Sequence, residues 1–385
     1  MKIHFSQIVC VALLFSIFSC RERSRSHSSS GTYSLEIIDS IEVDYLGDMR
    51  LIDYDEREDK YLILDNSNRI YLEVSDKGDV VNRNELSPDG LNAVRYVSGL
   101  GYLDGKVAVL TPTDGYYLFQ DTTIVGKIAI PYPYRTVVYY EKLGVFSEGN
   151  RIYFQKPWPL TMDVSMNNWE FYEKLYGLPI IESLDKTTSD TLSVLTLPES
   201  SAFLDGQVHG ILLPSYSRFD DLLLLTMKFR PEIYVYQKNG VGYEYLKTVE
   251  IEISDWVSYD PVEKDNSAQF YNGMNSKQVG VVSDILKVDD FFVVVYSKGV
   301  PEEKMPVGVQ DPNTGGLNRR KANPFYAVIL DKDFNKLGTD IPFPSTSNFP
   351  NVVNKDGELV VSKIAGLSET EDEGVILYKL KLKVE

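Results

Sequence analysis

A unit of strand, turn, strand, turn, strand recurs along this chain, and no long amphipathic helix interrupts the series. The clearest copy is KYLILDNSNRIYLEVSDKGDVVNRNEL, Lys60 to Leu86. Two β-rich runs, Tyr61–Leu64 and Arg69–Val74, flank Asp65-Asn66-Ser67-Asn68, and Asp76-Lys77-Gly78-Asp79 turns the chain into a third. Asn and Asp tolerate the left-handed backbone that tight turns need, and Gly adopts it without steric cost. Period-two alternation between such turns reads as β-strand.

Further copies begin at Gly101 (GYLDGKVAVLTPTDGYYLFQ), Asn150 (NRIYFQKPW, resuming as DTLSVLTL at Asp190), Asp220 (DDLLLLTMKF), Asp289 (DDFFVVVYSKG, resuming as FYAVILDKDF at Phe325) and Asp356 (DGELVVSKIAG). A single sheet of this kind cannot bury both faces alone, whereas radial stacking buries them and leaves short edges. The predicted fold is therefore all-β: a single β-propeller of six four-stranded blades, with seven blades or a pair of β-sandwiches as the competing arrangements. The last unit is one strand short, and YSLEIIDSIEVD, ahead of the first, is a strand without a blade. We expect this N-terminal strand to pair with the C-terminal blade and close the ring.

The run from Tyr61 to Gly78 resembles the repeat hairpin of NHL-type six-bladed propellers, in which an Asp-x-x-Asn-x-Arg-Ile turn precedes an aliphatic or aromatic strand and an Asp-x-x-Gly turn. With the N-terminal features described next, the chain resembles the six-bladed propeller lipoproteins of Gram-negative gut bacteria grouped as domain of unknown function 4221. The resemblance implies fold and location. It brings no activity and no catalytic residues.

Lys2 precedes an apolar run from Ile8 to Phe18, 11 residues long. At about 1.5 Å per residue such a run spans roughly half of a hydrocarbon core, too short to cross it and suited to a secretory signal. Ile17-Phe18-Ser19-Cys20 resembles a lipobox, which implies cleavage before Cys20 and its acylation. The expected organisation is a lipoprotein signal peptide at 1–19, a lipidated flexible tether at 20–32, and a β-propeller domain at 33–385. Cys10 leaves with the signal, so Cys20, the one cysteine left, is the lipid attachment site and no disulfide forms within the chain. Several acyl chains anchor firmly where one binds marginally. Arg21 after the cysteine favours outer-membrane lipid as the first partner, and Glu22 as the lone nearby acid favours the periplasmic face over the cell surface.

The formal net charge is −17, and residues 1–30 contribute Lys2, Arg21, Arg23 and Arg25 against Glu22, so the body from Gly31 carries −20. An acidic body of this kind does not suit nucleic acid. Of three histidines only His209 lies in the body, which excludes a multi-histidine metal site and a Cys–His pair. There is no Gly-x-Ser-x-Gly elbow and no phosphate-binding glycine loop. No catalytic residue, cofactor site or metal site is expected, and His209 is read as an ordinary strand or loop residue. Asp331, Asp333 and Asn335 are spaced like the start of a calcium loop, but Lys336 stands where glycine is required and Pro342 where glutamate is. A hairpin turn is the better reading there. Asp53 to Asp59, DYDERED, reads as a solvated turn.

Three long interruptions remain: Gln155–Ile181, Ser254–Gly280 and Gly299–Asn323. Insertions in propellers gather on one face. The first places Trp169, Tyr172 and Tyr176 at helical spacing and also holds Trp158; these four are the candidate ligand-binding residues, although such rings also serve as core under a long loop. The second carries Trp256, Tyr259, Phe270 and Tyr271. The third ends in Arg319-Arg320-Lys321, read as solvated charge or an anion clamp. The expected function is a membrane-tethered, non-catalytic binding or scaffold lipoprotein that recognises an envelope protein or glycan. The alternative is an envelope hydrolase using paired carboxylates on glycans.

Overall fold

The computed structural model describes residues 31–65, 67, 69–90, 92–135, 143–162, 164–270, 277–306, 315–368 and 374–385. The signal, Cys20, Asn66, Asn68 and Tyr271 lie outside the described residues.

Strand β1 spans Tyr33–Val43. Blade one follows with β2 (Met49–Asp55), β3 (Lys60–Asp65), β4 (Ile70–Ser75) and β5 (Val80–Glu85). Blade two is β6 (Gly99–Leu103), β7 (Lys106–Thr111), β8 (Gly115–Gln120) and β9 (Thr123–Ile128). A two-residue strand β10 (Tyr134–Arg135) leads to blade three, made of β11 (Phe146–Glu148), β12 (Arg151–Gln155), β14 (Ile181–Asp185) and β15 (Thr191–Leu195). Its first interruption holds β13 (Trp158–Pro159) and helix α1 (Trp169–Tyr176). After β16 (Gln207–Val208) comes blade four: β17 (Pro214–Phe219), β18 (Leu222–Met227), β19 (Glu232–Asn239) and β20 (Gly242–Glu250). Beyond β21 (Val262–Glu263), blade five comprises β22 (Val281–Val288), β23 (Phe291–Ser297), β24 (Phe325–Leu330) and β25 (Lys336–Pro342), with helix α2 (Gly315–Ala322) in the third interruption. Blade six has β26 (Val352–Val353), β27 (Leu359–Ser362) and β28 (Val375–Val384).

The six four-stranded sheets form a ring, a six-bladed propeller. Blade six is completed by β1, which pairs antiparallel with β28 from Tyr33 opposite Val384 to Val43 opposite Val375. Main-chain bonds between Thr32 and Glu385, at 3.1 and 2.9 Å, finish that seam. The expected closure is present, with the N-terminal strand outermost.

The core is divided the same way. Six buried apolar clusters among the described residues each lie between two neighbouring blades. A middle strand is therefore covered on both faces, so Tyr61-Leu62-Ile63-Leu64 and Leu222–Leu225 read as apolar runs where simple alternation was expected. Outer strands such as β5 and β9 are largely exposed or half-exposed.

Antiparallel order sends the first-to-second and third-to-fourth connections of every blade to one face of the ring, here called the turn face. The second-to-third and blade-to-blade connections go to the other, the loop face. On the turn face no connection exceeds five residues. Asp59, Asp104, Asp121, Asp220 and Asp289 take left-handed φ of 51–54° in its turns. Every longer connection, the three interruptions included, is on the loop face. Two small sheets, β10 with β13 and β16 with β21, tie those connections to one another.

Candidate functional site

The loop face thickens over blades three and four, where the interblade cluster continues upward into α1. Phe171, Tyr172, Leu175 and Tyr176 of that helix are buried in the same cluster as Leu223, Leu225 and Tyr234 of blade four. The Tyr176 hydroxyl accepts from the His209 amide at 2.9 Å and donates to the Gly210 carbonyl at 2.8 Å. A core tyrosine thus shapes the turn that carries the single histidine of the body.

That turn is one wall of a cleft of about 300 Å³. A second wall comes from Phe203, in a helical turn whose capping Ser201 hydroxyl is 2.9 Å from the Tyr234 hydroxyl. The β18–β19 turn contributes Lys228, Phe229, Arg230 and Pro231, and the second interruption contributes Ser258, Tyr259 and Pro261. The β16–β21 pairing, Gln207 with Glu263 and Val208 with Val262, holds these segments side by side. Phe229 and Tyr259 meet edge to face, with centroids 4.9 Å apart and planes at 83°. His209 lies against Phe203 at 5.4 Å and has Nε2 3.1 Å from the Asp205 carboxylate.

Arg230 is fixed from below. Its Nε donates to Glu232 at 2.6 Å, and the Tyr234 hydroxyl donates to the same carboxylate oxygen at 2.5 Å. Burial and the Glu232 charge push the Tyr234 phenol well above its ordinary range, so it remains a donor. The ionisable groups lining the cleft are Lys228, Arg230, His209 and the Tyr259 phenol, with no carboxylate among them.

A second cavity, of about 420 Å³, follows the axis of the ring and is lined by the first strands of several blades, including Tyr216–Phe219 and Ile285–Lys287. Glu56 is the one carboxylate on its wall. Arg218 pairs with Glu148 and Lys287 with Asp220, each at 3.4 Å. Neither cavity offers the facing pair of carboxylates that glycoside cleavage requires.

The four sequence-predicted aromatic residues are brought together by the first interruption, the two tyrosines as packing and the two tryptophans half-buried. Tyr172 is fully buried and Tyr176 nearly so, which leaves neither ring a face for a ligand. Trp158 is half-buried and edge-on to Phe171 at 5.4 Å, and Trp169, also half-buried, is 6.4 Å from Tyr176. The alternative reading of these rings, core beneath a long loop, describes both tyrosines. Nearby, the Lys156 ammonium donates to Glu182 at 2.6 Å and lies 4.6 Å from the Tyr132 ring, while the Tyr132 hydroxyl also bonds Glu182. This partly buried trio ties the interruption to the connection entering blade three.

Other expectations resolve by placement. Asp331 closes a hairpin turn, accepting the amides of Asp333 and Asn335 at 2.9 and 2.8 Å. DYDERED is only half a turn: Asp53 and Asp55 belong to β2, and Asp53 accepts the Tyr102 amide of blade two at 2.8 Å. The basic triplet lies on α2, and Arg320 donates to the carbonyls of Asn323 and Ser347 at 3.2 and 2.6 Å over the Phe325 ring. Burial lowers its guanidinium to about 10. Arg320 is thus a structural clasp between the third interruption and the connection from blade five to blade six.

Sequence reading singled out Tyr259 but missed Phe203, Phe229 and Arg230. A signal existed for the last two. Lys228-Phe229-Arg230-Pro231 occupies a hairpin turn where the two other blades with a short turn at that position carry Asn or Asp.

Comparison with protein-family models finds no match, and comparison with curated proteins finds none either. Among solved structures, the chain is similar to a member of the DUF4221 family from Bacteroides vulgatus ATCC 8482. The TM-score is 0.64 at 15% identity, over 92% of this chain and 99% of that one. The resemblance drawn from layout is thus met in the fold. A second similar structure is a "Putative exported protein" of Bacteroides fragilis NCTC 9343, with TM-score 0.48 and 13% identity over 94% of this chain and 97% of that one.

Proposed function

We propose that this chain is a non-catalytic binding or scaffold lipoprotein of the cell envelope, held at the outer membrane through acylated Cys20, which presents its loop face to a protein or glycan. One observation carries the reading: every connection longer than five residues is on one face, and the aromatic, cation-lined cleft opens among them. Loops positioned by a rigid scaffold are where recognition concentrates. The described residues contain no helix long and apolar enough to cross a membrane, so attachment through lipid at Cys20 supplies the membrane tie in this reading. The periplasmic side is favoured because Glu22 is the lone acidic residue close after Cys20.

Crosslinking in intact envelopes, followed by affinity purification of the full chain, tests the reading. Tyr259→Ala should lose the captured partner while Asp104→Asn, on the turn face, keeps it. The reverse pattern would move recognition to the other face. Cys20→Ser should abolish metabolic labelling with palmitate; retained label would remove the anchor.

A further inference from the structure

We infer that the cleft over blades three and four binds an acidic sugar of a glycan, with the Arg230 guanidinium on the sugar carboxylate and the rings of Phe229 and Tyr259 against its apolar face. This ligand class deepens the loop-face reading on which it rests.

Charge comes first. The body from Gly31 carries −20, yet this cleft is lined by Lys228, Arg230, His209 and the Tyr259 phenol and by no carboxylate. An anion is repelled by the molecule at long range, and only a specific contact inside the cleft can hold it. Arg230 is prepared for such a contact. Its Nε is engaged by Glu232, itself held by Tyr234, and no hydrogen bond from its two terminal nitrogens is found among the described residues. The guanidinium carbon is 5.9 Å from the Phe203 ring, which limits its swing. A planar guanidinium held in this way matches a carboxylate through two parallel bonds.

Size and wall shape select the rest of the ligand. A volume of about 300 Å³ lies at the small end of ligand pockets and suits one or two sugar rings. The perpendicular rings of Phe229 and Tyr259 form a corner with apolar faces and one polar tip, suited to a ring that is apolar on one side and hydroxylated at its edge. Apart from Met227, at the end of β18, the walls are turn and connection residues. An extended peptide would therefore find no strand edge to build a main-chain ladder on.

The test is calorimetric titration of the full chain with trisaccharides ending in glucuronate or galacturonate, their neutral parents, and a tripeptide with a free carboxyl terminus. A uronate-ended probe should bind at least tenfold more tightly than its neutral parent. Arg230→Gln should weaken binding at least tenfold and Arg230→Lys by an intermediate factor, because charge survives and the fork does not. Lys186→Gln on the turn face should leave binding unchanged. Thermal melts of each variant establish that it is folded. Equal binding of acidic and neutral sugars, no uronate binding, unchanged affinity in folded Arg230→Gln, or tightest binding by the peptide would each overturn the assignment. If envelope crosslinking still captures a partner with Arg230→Gln but loses it with Tyr259→Ala, the acidic-sugar assignment fails while the loop-face reading stands. If neither variant affects capture, both fail.

Discussion

The turn face and the loop face are made by the same strands but are held by different physics. On the turn face, carboxylates bond the backbone a few residues away: Asp185 accepts the amides of Thr187 and Thr188 at 2.8 and 3.0 Å, and Asp331 does the same for its own turn. Such turns satisfy their polar groups locally and need no core of their own. Short loop-face turns do the same, as where Asp65 accepts the Arg69 and Ile70 amides at 2.8 Å, but the long connections of that face cannot. The loop face borrows the cluster between blades three and four and extends it through α1, with the Lys156–Glu182 pair fastening one edge. The lesson is that the face with the greater freedom to vary is also the one that depends on aromatic burial for its shape.

Four measurements would break or sharpen that contrast. Tyr172→Ala removes a fully buried ring from the loop-face core and should cost about 3–5 kcal/mol in urea unfolding. Partner capture should fall with it; a cost below about 1 kcal/mol would mean that α1 is not part of the core. Lys156→Met leaves the Glu182 carboxylate buried without its cation, for a loss of about 3 kcal/mol. Most of that loss should return in the double variant Lys156→Met/Glu182→Met, and failure to recover would point to the Tyr132 contact as the main one.

On the turn face, Gly78 has φ of +91°, and a Cβ there would sit 2.1 Å from the Glu42 carbonyl oxygen of β1. Gly78→Ala should cost about 2 kcal/mol while the folded fraction still captures partner. Loss of capture beyond loss of fold would show that the two faces communicate. The smallest effect is the response to acid. Backbone amides hold Asp185 below the usual carboxylate range; for Asp59, Asp104 and Asp331, burial pushes upward but hydrogen bonds outweigh it. Depressed folded values mean that this stabilisation is complete above the unfolded value of about 4 and is lost as pH falls through the folded values. The melting temperature should therefore be insensitive to these groups above about pH 5 and decline below about pH 4. Amide exchange should accelerate first in the turns at 186–190 and 331–335, and Asp185→Asn should remove part of the trend. Asp65, in a short turn of the loop face, is lowered likewise, burial being outweighed by its hydrogen bonds, so it is earlier acid loss at the long connections of that face that would contradict the assignment.

Much of the ring was legible because its rules are short-range. Apolar runs bracketed by Asp, Asn and Gly marked the hairpins, and β1 was found as a strand lacking a blade while the last blade lacked a strand. The interruption at Gln155–Ile181 begins at the last residue of β12 and ends at the first residue of β14. The spacing of Trp169, Tyr172 and Tyr176 located a helix face, but spacing does not say what covers a face. Asp53 was misplaced for a related reason. An acidic run resembles a solvated turn until the neighbouring blade supplies Tyr102 as a donor.

By itself, then, the order of residues determined the repeated hairpin and how the ring closes, because alternation, turn chemistry and an unmatched strand act within one hairpin or between the two chain ends; six blades rather than seven was decided by the assembled sheets. Only the tertiary structure decided which rings are core and which line a cleft. Phe203, His209, Arg230 and Tyr259 come from separate segments that meet through the β16–β21 pairing and the Tyr176 hydroxyl, contacts that no local pattern encodes.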